Sequence, residues 1–435
     1  MNFTENLEAV KTKKKPIAIV GLGYVGLPIA MALGKYFKIT GFDINEKRIA
    51  DLNRGVDHTG ECTDLLNNKN VSFTTDQKLL ADCPIVIIAV PTPVTNFKAP
   101  DLGPLESAMR IVGKNIHKPA LITVESTVYP GATELVSSNI LEGEFGLKRG
   151  TDYKVGYSPE RINPGDKEHT IENTTKIVAA EDQETLSILE YIFGKVTKTF
   201  SASNIKTAEA AKVIENIQRD LNIALVNELA LIFDRLDINT NEVIDAASTK
   251  WNFHSYRPGL VGGHCIGVDP YYLAHCAESL GYIPEVILSS RRINESVGNF
   301  ISGKLLKLLI ESGRDINGAN VGILGFTFKE NIRDIRNTRV VDIVKLMKEH
   351  RINVFVSDPW ASPQEMKAEY GIQTTDIKDL KNLDAIVLAV RHDQYVNQKE
   401  EFFLNLCNIG KKPVFMDVKS VYNASDMPNF LYWRL

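Results

Sequence analysis

The chain has few cysteines, and none of them is closely paired in sequence. The five are Cys62, Cys83, Cys265, Cys276 and Cys407, and no two stand in a CxxC spacing. Structural zinc sites and small disulfide frameworks use closely paired cysteines. The sequence therefore predicts neither a metal site nor disulfides, and it favours a reducing compartment, which we expect to be the cytoplasm.

Long apolar runs and a strong charge of one sign are also missing. No apolar stretch is long enough to cross a bilayer, and residues 1–15 are polar and rich in lysine, unlike a secretory signal. The net charge is −4 over 435 residues, which does not indicate a nucleic-acid or membrane partner. The length is typical of two or three domains.

A glycine-rich turn near the amino terminus has the context of a dinucleotide-binding site. Residues 16–20 form a predicted buried strand, the sequence GLGYVG supplies Gly21, Gly23 and Gly26, and a helix with Pro28 in its first turn follows. Strand, glycine turn and helix in this order are typical of Rossmann folds, whereas the glycines alone are weak evidence. A turn that binds nothing is the less favoured alternative.

The next predicted strand, residues 39–42, ends at Asp43. This carboxylate follows the glycines by about 20 residues, the position that hydrogen-bonds the ribose 2′-hydroxyl of a dinucleotide. A carboxylate there repels the 2′-phosphate of NADP. Arg48 leaves an alternative open, because an arginine can bind that phosphate or stack on adenine. We predict NAD as the cofactor.

Two further strand ends carry hydroxyl groups. Residues 85–90 end in a Pro-Thr-Pro turn that contains Thr92, and residues 121–124 lead into the sequence ESTVYPG, which contains Thr127. Ligands of doubly wound sheets gather at the carboxyl ends of the strands. Thr127 is therefore a candidate for contact with the nicotinamide region or a water, and a simple turn hydroxyl is an equal alternative.

The loop SPERINPG, residues 158–165, supplies a carboxylate and a cation. Glu160 is a candidate general base or a group that orients water. Arg161 is a candidate ligand of an anion or a carbonyl oxygen. For both residues the alternative is a surface salt bridge.

Residues 203–236 contain neither glycine nor proline and predict one long helix. Lys212, Asn216 and Arg219 share one of its faces, and much of the rest is apolar. Such a helix is buried, often between domains or subunits, and polar groups on it need partners. We predict that Lys212 and Asn216 face a site. A second helix is predicted near residues 289–311.

The sequence GGHCIGVDP begins at Gly262 and is the most informative loop of the chain. Gly262 and Gly263 allow a ligand close to the backbone, and Cys265 is a candidate thiolate nucleophile with Asp269 four residues away. An inert buried cysteine is the alternative. The preceding residues, 251–259, carry aromatic and cationic side chains suited to a sugar and a phosphate, in the same subunit or in a neighbouring one.

Residues 315–435 alternate predicted strands with helices, which indicates a second parallel sheet. This module lacks a GxGxxG sequence and need not bind a second dinucleotide. Cations just past its strand ends suit a pyrophosphate, although a plain surface charge is an equal alternative for each one. These cations are Lys329, Arg336, Arg391 and Lys419.

Together these segments resemble the UDP-glucose/GDP-mannose dehydrogenase family, from about residue 14 to the end of the chain. The motifs that carry the resemblance are GLGYVGLP, the strand end at Asp43, VPTP, ESTVYPG, SPERINPG, the Lys212/Asn216 helix, GGHCIGVDP and GFTFKENIRDIRNT. The resemblance implies an α/β fold with two Rossmann-like, doubly wound domains joined by a long central helix, and dimerisation or higher homo-oligomerisation through it. The implied domains are an NAD-binding domain at 1–200, a central helical dimerisation region with the cysteine loop at 201–314, and a UDP-sugar-binding domain at 315–435.

We use the resemblance to assign expected roles, none of which involves a metal. The expected catalytic residues are Cys265, Lys212, Asn216, Asp269, Glu160 and Thr127. The expected NAD-binding residues are Gly21, Gly23, Tyr24, Val25, Gly26, Asp43, Arg48, Thr92, Thr127 and Arg336. The expected residues for a UDP-sugar are Arg161, Ile162, Lys212, Asn216, His254, Arg257, Gly263, Phe328, Lys329, Arg391 and Lys419.

The family oxidises the C6 hydroxyl of a nucleotide sugar to a carboxylate with two NAD. His264 and Val268 resemble the branch that acts on UDP-N-acetylhexosamines, in which many members have proline at the position of Gly267. We therefore expect UDP-N-acetylglucosamine or UDP-N-acetylgalactosamine as substrate, a thiohemiacetal and then a thioester on Cys265, and a product for capsule or lipopolysaccharide synthesis. UDP-glucose and UDP-N-acetylmannosamine are alternative substrates. A single-hydride hydroxyacid dehydrogenase and a nucleotide-binding regulator without turnover are rival classes.

Overall fold

The computed structural model describes residues 2–95, 97–161, 168–263, 266–408 and 410–435. The chain folds into two compact units. The first unit comprises Met1–Glu215 with Tyr271–Tyr282, and the second unit comprises Asn216–Pro270 with Ile283–Leu435. None of the helices in these described ranges is long and apolar enough to cross a membrane.

Eight strands form one sheet in the first unit. They are β1 (Ile17–Val20), β2 (Ile39–Phe42), β3 (Val71–Thr74), β4 (Ile85–Ile88), β5 (Ala120–Val124), β6 (Tyr153–Tyr157), β7 (Lys176–Ala180) and β8 (Thr199–Ser201). Their order is β3-β2-β1-β4-β5-β6-β7-β8, and the first six are parallel. This is the strand order of a doubly wound dinucleotide-binding sheet. Strand β7 is antiparallel to β6 and parallel to β8.

The central strands of this sheet are continuous apolar runs, which is typical of parallel strands covered on both faces. Every residue of β1, β4 and β5 is buried. The helices of the unit are α1 (Phe3–Lys11), α2 (Gly26–Gly34), α3 (Glu46–Asn53), α4 (Gly103–Asn115), α5 (Ala132–Ser137) and α6 (Gln183–Phe193). The unit also includes the first part of α7 (Ile205–Leu236) and, from Tyr271 onward, α9 (Asp269–Ser279).

The second unit contains a smaller, fully parallel sheet. Its strands are β9 (Asn320–Leu324), β10 (Asn353–Ser357), β11 (Ala385–Leu388), β12 (Val414–Asp417) and β13 (Leu431–Arg434), in the order β10-β9-β11-β12-β13. Its helices are the remainder of α7, α8 (Thr240–Ala247), α10 (Glu285–Glu311), α11 (Val340–Glu349), α12 (Pro363–Tyr370), α13 (Asp393–Val396) and α14 (Glu400–Leu404). The prediction of an α/β fold with parallel sheets and a long central helix is confirmed.

Sequence patterns located the long helices well and missed four strands. Helix α7 matches the predicted span of 203–236 almost residue for residue. Helix α10 begins at Glu285 instead of near 289, directly after Pro284, which caps its amino end. Strands β3, β7, β8 and β13 were not predicted. Strands β3 and β8 are only partly buried, so their apolar pattern is weak.

Candidate functional site

The glycine-rich turn of the first unit has the geometry of a phosphate cradle. Gly21 has φ +92°, and a Cβ added to it would lie 2.6 Å from the carbonyl oxygen of Ala89. A Cβ on Gly26 would lie 1.8 Å from the carbonyl oxygen of Gly21, whereas one on Gly23 would meet nothing within 4 Å. The outer glycines are therefore required by packing, and the middle one leaves room for a ligand to approach the backbone. This is the fit expected for a dinucleotide pyrophosphate.

Asp43 lies next to this turn, as the strand order requires. Its Oδ2 accepts a hydrogen bond from the Leu22 backbone N–H at 2.8 Å, and its Oδ1 accepts one from the Asn45 N–H at 2.9 Å. A carboxylate has about four acceptor positions, so capacity remains at both oxygens for ribose hydroxyls. Tyr24 and Val25 immediately precede α2, at the positive end of its dipole.

Arg48 binds within the protein, which bears on the choice of cofactor. Its Nε donates to the carbonyl oxygen of Leu22 at 3.0 Å, and its Nη1 is 2.8 Å from Asp57 Oδ1. The Asp57 side chain is buried. Burial raises the pKa of this carboxyl, but hydrogen bonds from Thr59 and Arg48 outweigh the effect and lower its pKa. An arginine already paired with a buried carboxylate is poorly suited to bind a 2′-phosphate, which favours NAD.

Two hydroxyl groups connect neighbouring strand ends in the same unit. The Thr92 hydroxyl donates to the carbonyl oxygen of Thr127 at 2.7 Å, and the Ser126 hydroxyl donates to the carbonyl oxygen of Val90 at 2.6 Å. Thr127 is partly exposed at the carboxyl edge of the sheet. The structure therefore places Thr92 and Thr127 together at the edge where the glycine turn also lies.

Glu160 is buried in an ion pair that the sequence did not predict. Its Oε2 is 2.7 Å from Nζ of Lys176, and Lys176 Nζ is also 2.7 Å from Glu125 Oε2. Burial raises the pKa of Glu125 to about 7. Arg161 forms a partly exposed ion pair with Glu215, at 2.9 Å from Nε to Oε2. Ile162, the next residue in the predicted set, lies outside the described residues.

The second unit positions the groups that flank the cysteine loop. His264 and Cys265 lie outside the described residues, but Asp269 Oδ2 is 2.5 Å from Asn216 Nδ2, and both side chains are buried. The other amide atom, Asn216 Oδ1, has no hydrogen-bond partner within the described part of the chain, so it can accept one from a ligand or water. Lys212 is buried one turn earlier on α7.

A second buried network, which the sequence did not predict, braces the same region. Nη1 of Arg291 on α10 is 2.5 Å from Asp220 Oδ1, and Asn294 Nδ2 donates to the same oxygen at 2.7 Å. A Cβ on Gly267 would lie 3.9 Å from Arg291 Nη2. Burial raises the pKa of Asp220, opposed by the charge of Arg291. The only sequence signal for this contact is that Asp220 lies one turn beyond Asn216.

A small pocket lies at the carboxyl edge of the second unit's sheet. A Cβ on Gly263, which has φ +82°, would lie 2.9 Å from the Phe328 ring, so only glycine lets the loop cross this ring so closely. Burial and the charge of Arg391 lower the pKa of Lys419, against the opposing charge of Glu330. The lining includes Gly262, Thr327, Phe328, Lys329, Glu330, Arg339 and Lys419.

The loop that carries Phe328 and Lys329 is held by a buried aspartate–histidine pair. Asp358 Oδ2 accepts hydrogen bonds from the backbone N–H groups of Phe326 and Thr327, and it lies 3.0 Å from His392 Nε2. His392 Nδ1 accepts from the backbone N–H of Asn331 at 3.0 Å. Burial raises the pKa of Asp358, but the hydrogen bonds from His392 and the backbone outweigh it and bring this pKa to about 2. The sequence located Asp358 at a strand end without indicating this role.

The surroundings of three predicted ligand-binding residues do not indicate a binding site. His254 is exposed. Arg257 is exposed and paired with Asp245 and Asn241 of α8. Arg336 pairs with Asp334, at 2.5 Å from Nη2 to Oδ2. The structure therefore neither gathers these side chains at the pocket nor tests their predicted roles.

Three family models match the chain in order. They are the NAD binding domain, the central domain and the UDP binding domain of the UDP-glucose/GDP-mannose dehydrogenase family, at residues 15–197, 206–296 and 322–424. The first match confirms the prediction of NAD as cofactor, and the third confirms that a UDP-binding domain is present.

Similar proteins cover nearly the whole chain. It is 48% identical to protein CapL of Staphylococcus aureus over 96% of this chain and 99% of that one. It is 47% identical to UDP-N-acetyl-D-glucosamine 6-dehydrogenase of Salmonella typhi over 94% of this chain and 96% of that one. A solved UDP-D-ManNAc dehydrogenase from Pyrococcus horikoshii aligns with a TM-score of 0.87 at 29% identity, over 96% of this chain and 98% of that one. With the three domain matches, these similarities show that the chain belongs to the UDP-glucose/GDP-mannose dehydrogenase family.

Proposed function

We propose that this protein oxidises the C6 hydroxyl of UDP-N-acetylglucosamine or UDP-N-acetylgalactosamine to a carboxylate. The observation that carries the proposal is near-full-length similarity to a relative named for UDP-N-acetyl-D-glucosamine. The cationic pocket of the second unit supports it, because lysines at the carboxyl edge of a parallel sheet suit a diphosphate. The aromatic face of Phe328 suits a base or a sugar ring.

The proposed chemistry assigns each reaction step to residues of the chain. Bound NAD supplies the hydride acceptor for both oxidations. The Cys265 thiolate adds to the aldehyde carbon and forms a thiohemiacetal, whose oxidation leaves a thioester. Lys212 and the Asn216 Nδ2 hydrogen that is not donated to Asp269 stabilise the oxyanion, and Asp269 orients the Asn216 amide. Glu160 removes a proton from the water that cleaves the thioester, and Thr127 helps to position that water.

The binding roles are proposed on the same basis. Gly21, Gly23, Gly26, Asp43 and Thr92 surround the proposed NAD site of the first unit. For the sugar nucleotide we propose Gly263, Phe328, Lys329, Lys419 and Arg391. His254 and Arg257 are proposed to act in a neighbouring subunit's site, because both are exposed on a loop. We retain three domains, 1–200, 201–314 and 315–435, as the proposed functional division.

A panel of UDP-sugars tests the proposal directly. The purified protein is given NAD with UDP-N-acetylglucosamine, UDP-N-acetylgalactosamine, UDP-N-acetylmannosamine or UDP-glucose, while NADH is counted and products are identified by mass. We expect two NADH per acid and the highest kcat/KM for one of the first two sugars. Comparable values for UDP-glucose would remove the basis for an N-acetylhexosamine enzyme. One NADH per substrate would favour the hydroxyacid class, and binding without turnover would favour a regulator.

UDP-N-acetylmannosamine is the second candidate substrate. It is favoured by the high TM-score against the solved archaeal enzyme named for that sugar. The products of the two candidate substrates have the same mass. The substrate panel nevertheless separates the candidates, because each sugar is supplied in a separate reaction.

We also propose that the protein acts as a homodimer or higher homo-oligomer in the cytoplasm, supplying a capsule or lipopolysaccharide precursor. Leu225, Ile232 and Leu236 share one face of α7 and are 55%, 44% and 60% exposed. Apolar side chains in such a row suit a subunit interface. Light scattering of the purified protein gives the oligomeric state, and a monomer at all concentrations would contradict this part of the proposal.

A further inference from the structure

A buried lysine joins two carboxylates in the first unit. Lys176 Nζ is 2.7 Å from Oε2 of Glu125 and 2.7 Å from Oε2 of Glu160, and the three side chains are 3%, 0% and 5% exposed. No sequence pattern singled out this lysine. Buried charges are costly unless they are paired and hydrogen-bonded, so the cluster calls for a physical explanation.

The contact is a consequence of strand direction. Strands β5 and β6 are parallel, so Glu125 and Glu160 emerge at the same edge of the sheet. Strand β7 is antiparallel to β6, with Tyr157 opposite Ala179. Its first residue, Lys176, therefore lies at that same edge, whereas a parallel β7 would have placed it at the opposite edge.

The lysine is fully occupied inside the protein. Besides the two carboxylates, Nζ lies 3.3 Å from the carbonyl oxygen of Pro159 and 3.4 Å from that of Ser158. The ring of Phe193 lies 4.9 Å away and closes another side. These contacts tie the ammonium to the segment that leads into Glu160 as well as to the Glu160 carboxylate.

These contacts orient the Glu160 carboxylate and leave some of its hydrogen-bond acceptor positions available. Its Oε2 pairs with Lys176, and its Oε1 accepts the backbone N–H of Arg161 at 2.7 Å. A carboxylate offers about four acceptor positions, so each oxygen keeps capacity for a water.

Glu125 completes the cluster on the other side of the lysine. Its Oε2 binds Lys176, whereas its Oε1 is buried and has no hydrogen-bond partner among the residues that the structure describes. The Glu125 carboxylate thus holds the Lys176 ammonium group in position.

We propose that Lys176 is a positioning residue that holds the Glu160 carboxylate in a fixed orientation for its proposed role as general base. The inference rests on the proposed function, in which Glu160 serves the thioester formed on Cys265. In that step Glu160 takes one proton from water, the water oxygen bonds to the thioester carbon, and the C–S bond breaks. The sulfur leaves with the electron pair as a thiolate, and no oxidant or reductant is consumed.

Lys176→Met tests the proposal, and Lys154→Met is its matched control. Lys154, on β6, is also buried, and its Nζ is 2.7 Å from both Asp182 and Glu184. For Lys176→Met we expect unchanged affinity for UDP-sugar and NAD, because neither is proposed to contact Lys176. We expect kcat for acid to fall about 100-fold or more, the usual contribution of general-base catalysis. The sugar thioester should then accumulate on the protein, as seen by intact mass, whereas Lys154→Met should show neither change.

Lys176→Arg keeps the charge and guards against a folding defect in Lys176→Met. We expect an intermediate kcat at unchanged KM, with the adduct still detectable. Partial or full recovery of kcat in Lys176→Arg would support the role of the charge, whereas a Lys176→Met variant that behaves like Lys154→Met would overturn the inference. Failure of the proposed function can be distinguished from failure of the Lys176 inference. If the proposed function is wrong, the wild-type protein will not form two NADH per acid, or Glu160→Gln will turn over normally.

Discussion

Two aspartates occupy corresponding strand ends in the two units and differ in their partners. Asp43 follows β2, accepts backbone N–H groups from Leu22 and Asn45, and keeps capacity for a ribose. Asp358 follows β10 and accepts backbone N–H groups at both oxygens, in addition to its contact with His392. The same residue type in the same topological position is therefore available for ligand binding in one unit and used for structure in the other.

Asp43→Ala should weaken discrimination against NADP. Removing the carboxylate removes its repulsion of the 2′-phosphate and its hydrogen bonds to the ribose of NAD. We expect the ratio of kcat/KM for NADP to that for NAD to rise about tenfold or more, which corresponds to about 1.4 kcal/mol. Asp76→Ala, near the end of the neighbouring strand β3, serves as control and should leave the ratio unchanged. A wild-type protein that used NADP at least as well as NAD would contradict the assignment.

Cys265→Ser should bind both ligands normally and lose acid formation by several orders of magnitude. Serine is nearly isosteric with cysteine, but its hydroxyl is a poor nucleophile without an activating base. Ligand affinity by calorimetry and acid production by mass spectrometry measure the two effects. Cys276→Ser is the control, because Cys276 is partly exposed and has no proposed role. Near-normal acid production by Cys265→Ser would favour hydration of the aldehyde over a covalent route.

In the loop after β9, a buried histidine that does not line the pocket fixes the residues that do. His392 lies 3.2 Å from Thr327 Oγ1, accepts from the Asn331 N–H, and is fully buried. The loop thus has fixed ends, and Phe328 and Lys329 between them line the pocket.

His392→Phe should raise KM for the UDP-sugar without a comparable change in KM for NAD. An aromatic ring still fills the site, but the hydrogen bonds that fix the loop are lost, so the pocket is less well preorganised. We expect a rise of about tenfold, equivalent to about 1.4 kcal/mol. His350→Phe, at the exposed end of α11, is the control. Equal rises in both KM values would argue for a general folding defect instead.

Asp358 should make a pH-dependent contribution to the stability of the second unit. Its pKa falls from 3.8 to about 2 in the folded protein. A lowered folded-state pKa stabilises the protein at pH values above the unfolded-state pKa, here by about 2 kcal/mol, and this stabilisation is lost as the pH falls toward 2. Urea unfolding measures the difference in unfolding free energy between wild type and Asp358→Asn. This difference should be constant above about pH 5 and should become smaller below pH 4. A difference that is independent of pH would exclude this source of stability.

At the scale of the whole molecule, two sheets begin with similar turns and only one has the features of a dinucleotide site. Gly21 and Gly325 have φ values of +92° and +91° after the first strand of each unit. The second unit lacks the GxGxxG sequence, and its strand-end carboxylate is occupied by His392. Similar architecture therefore supports two different nucleotide sites.

NAD should bind at one site per chain. We expect calorimetric titration to give a stoichiometry near one, and UDP to bind without displacing NAD, because the proposed sites use different strand ends. Competition between UDP and NAD, or two equivalent NAD sites per chain, would contradict the assignment of NAD to the first unit and UDP to the second.

The amino-acid sequence alone predicts the local features of this protein. The strand–glycine–helix order, the apolar strands and the unbroken α7 follow from short-range sterics and periodicity, which a linear chain displays directly. It also located Glu160, Asp43 and the cations at strand ends. These inferences needed only the rule that ligands gather at the carboxyl edge of a parallel sheet.

Which charged groups meet depends on the three-dimensional fold. Lys176 reaches Glu160 because β7 runs antiparallel to β6, and no local pattern encodes strand direction. Strands β10 and β11 flank β9 in one parallel sheet, so the residues that follow them lie at the same edge. His392 and Asp358 meet there. Buried charges have large effects at short range, so their partners determine their function, and those partners are brought together by the fold from distant parts of the chain.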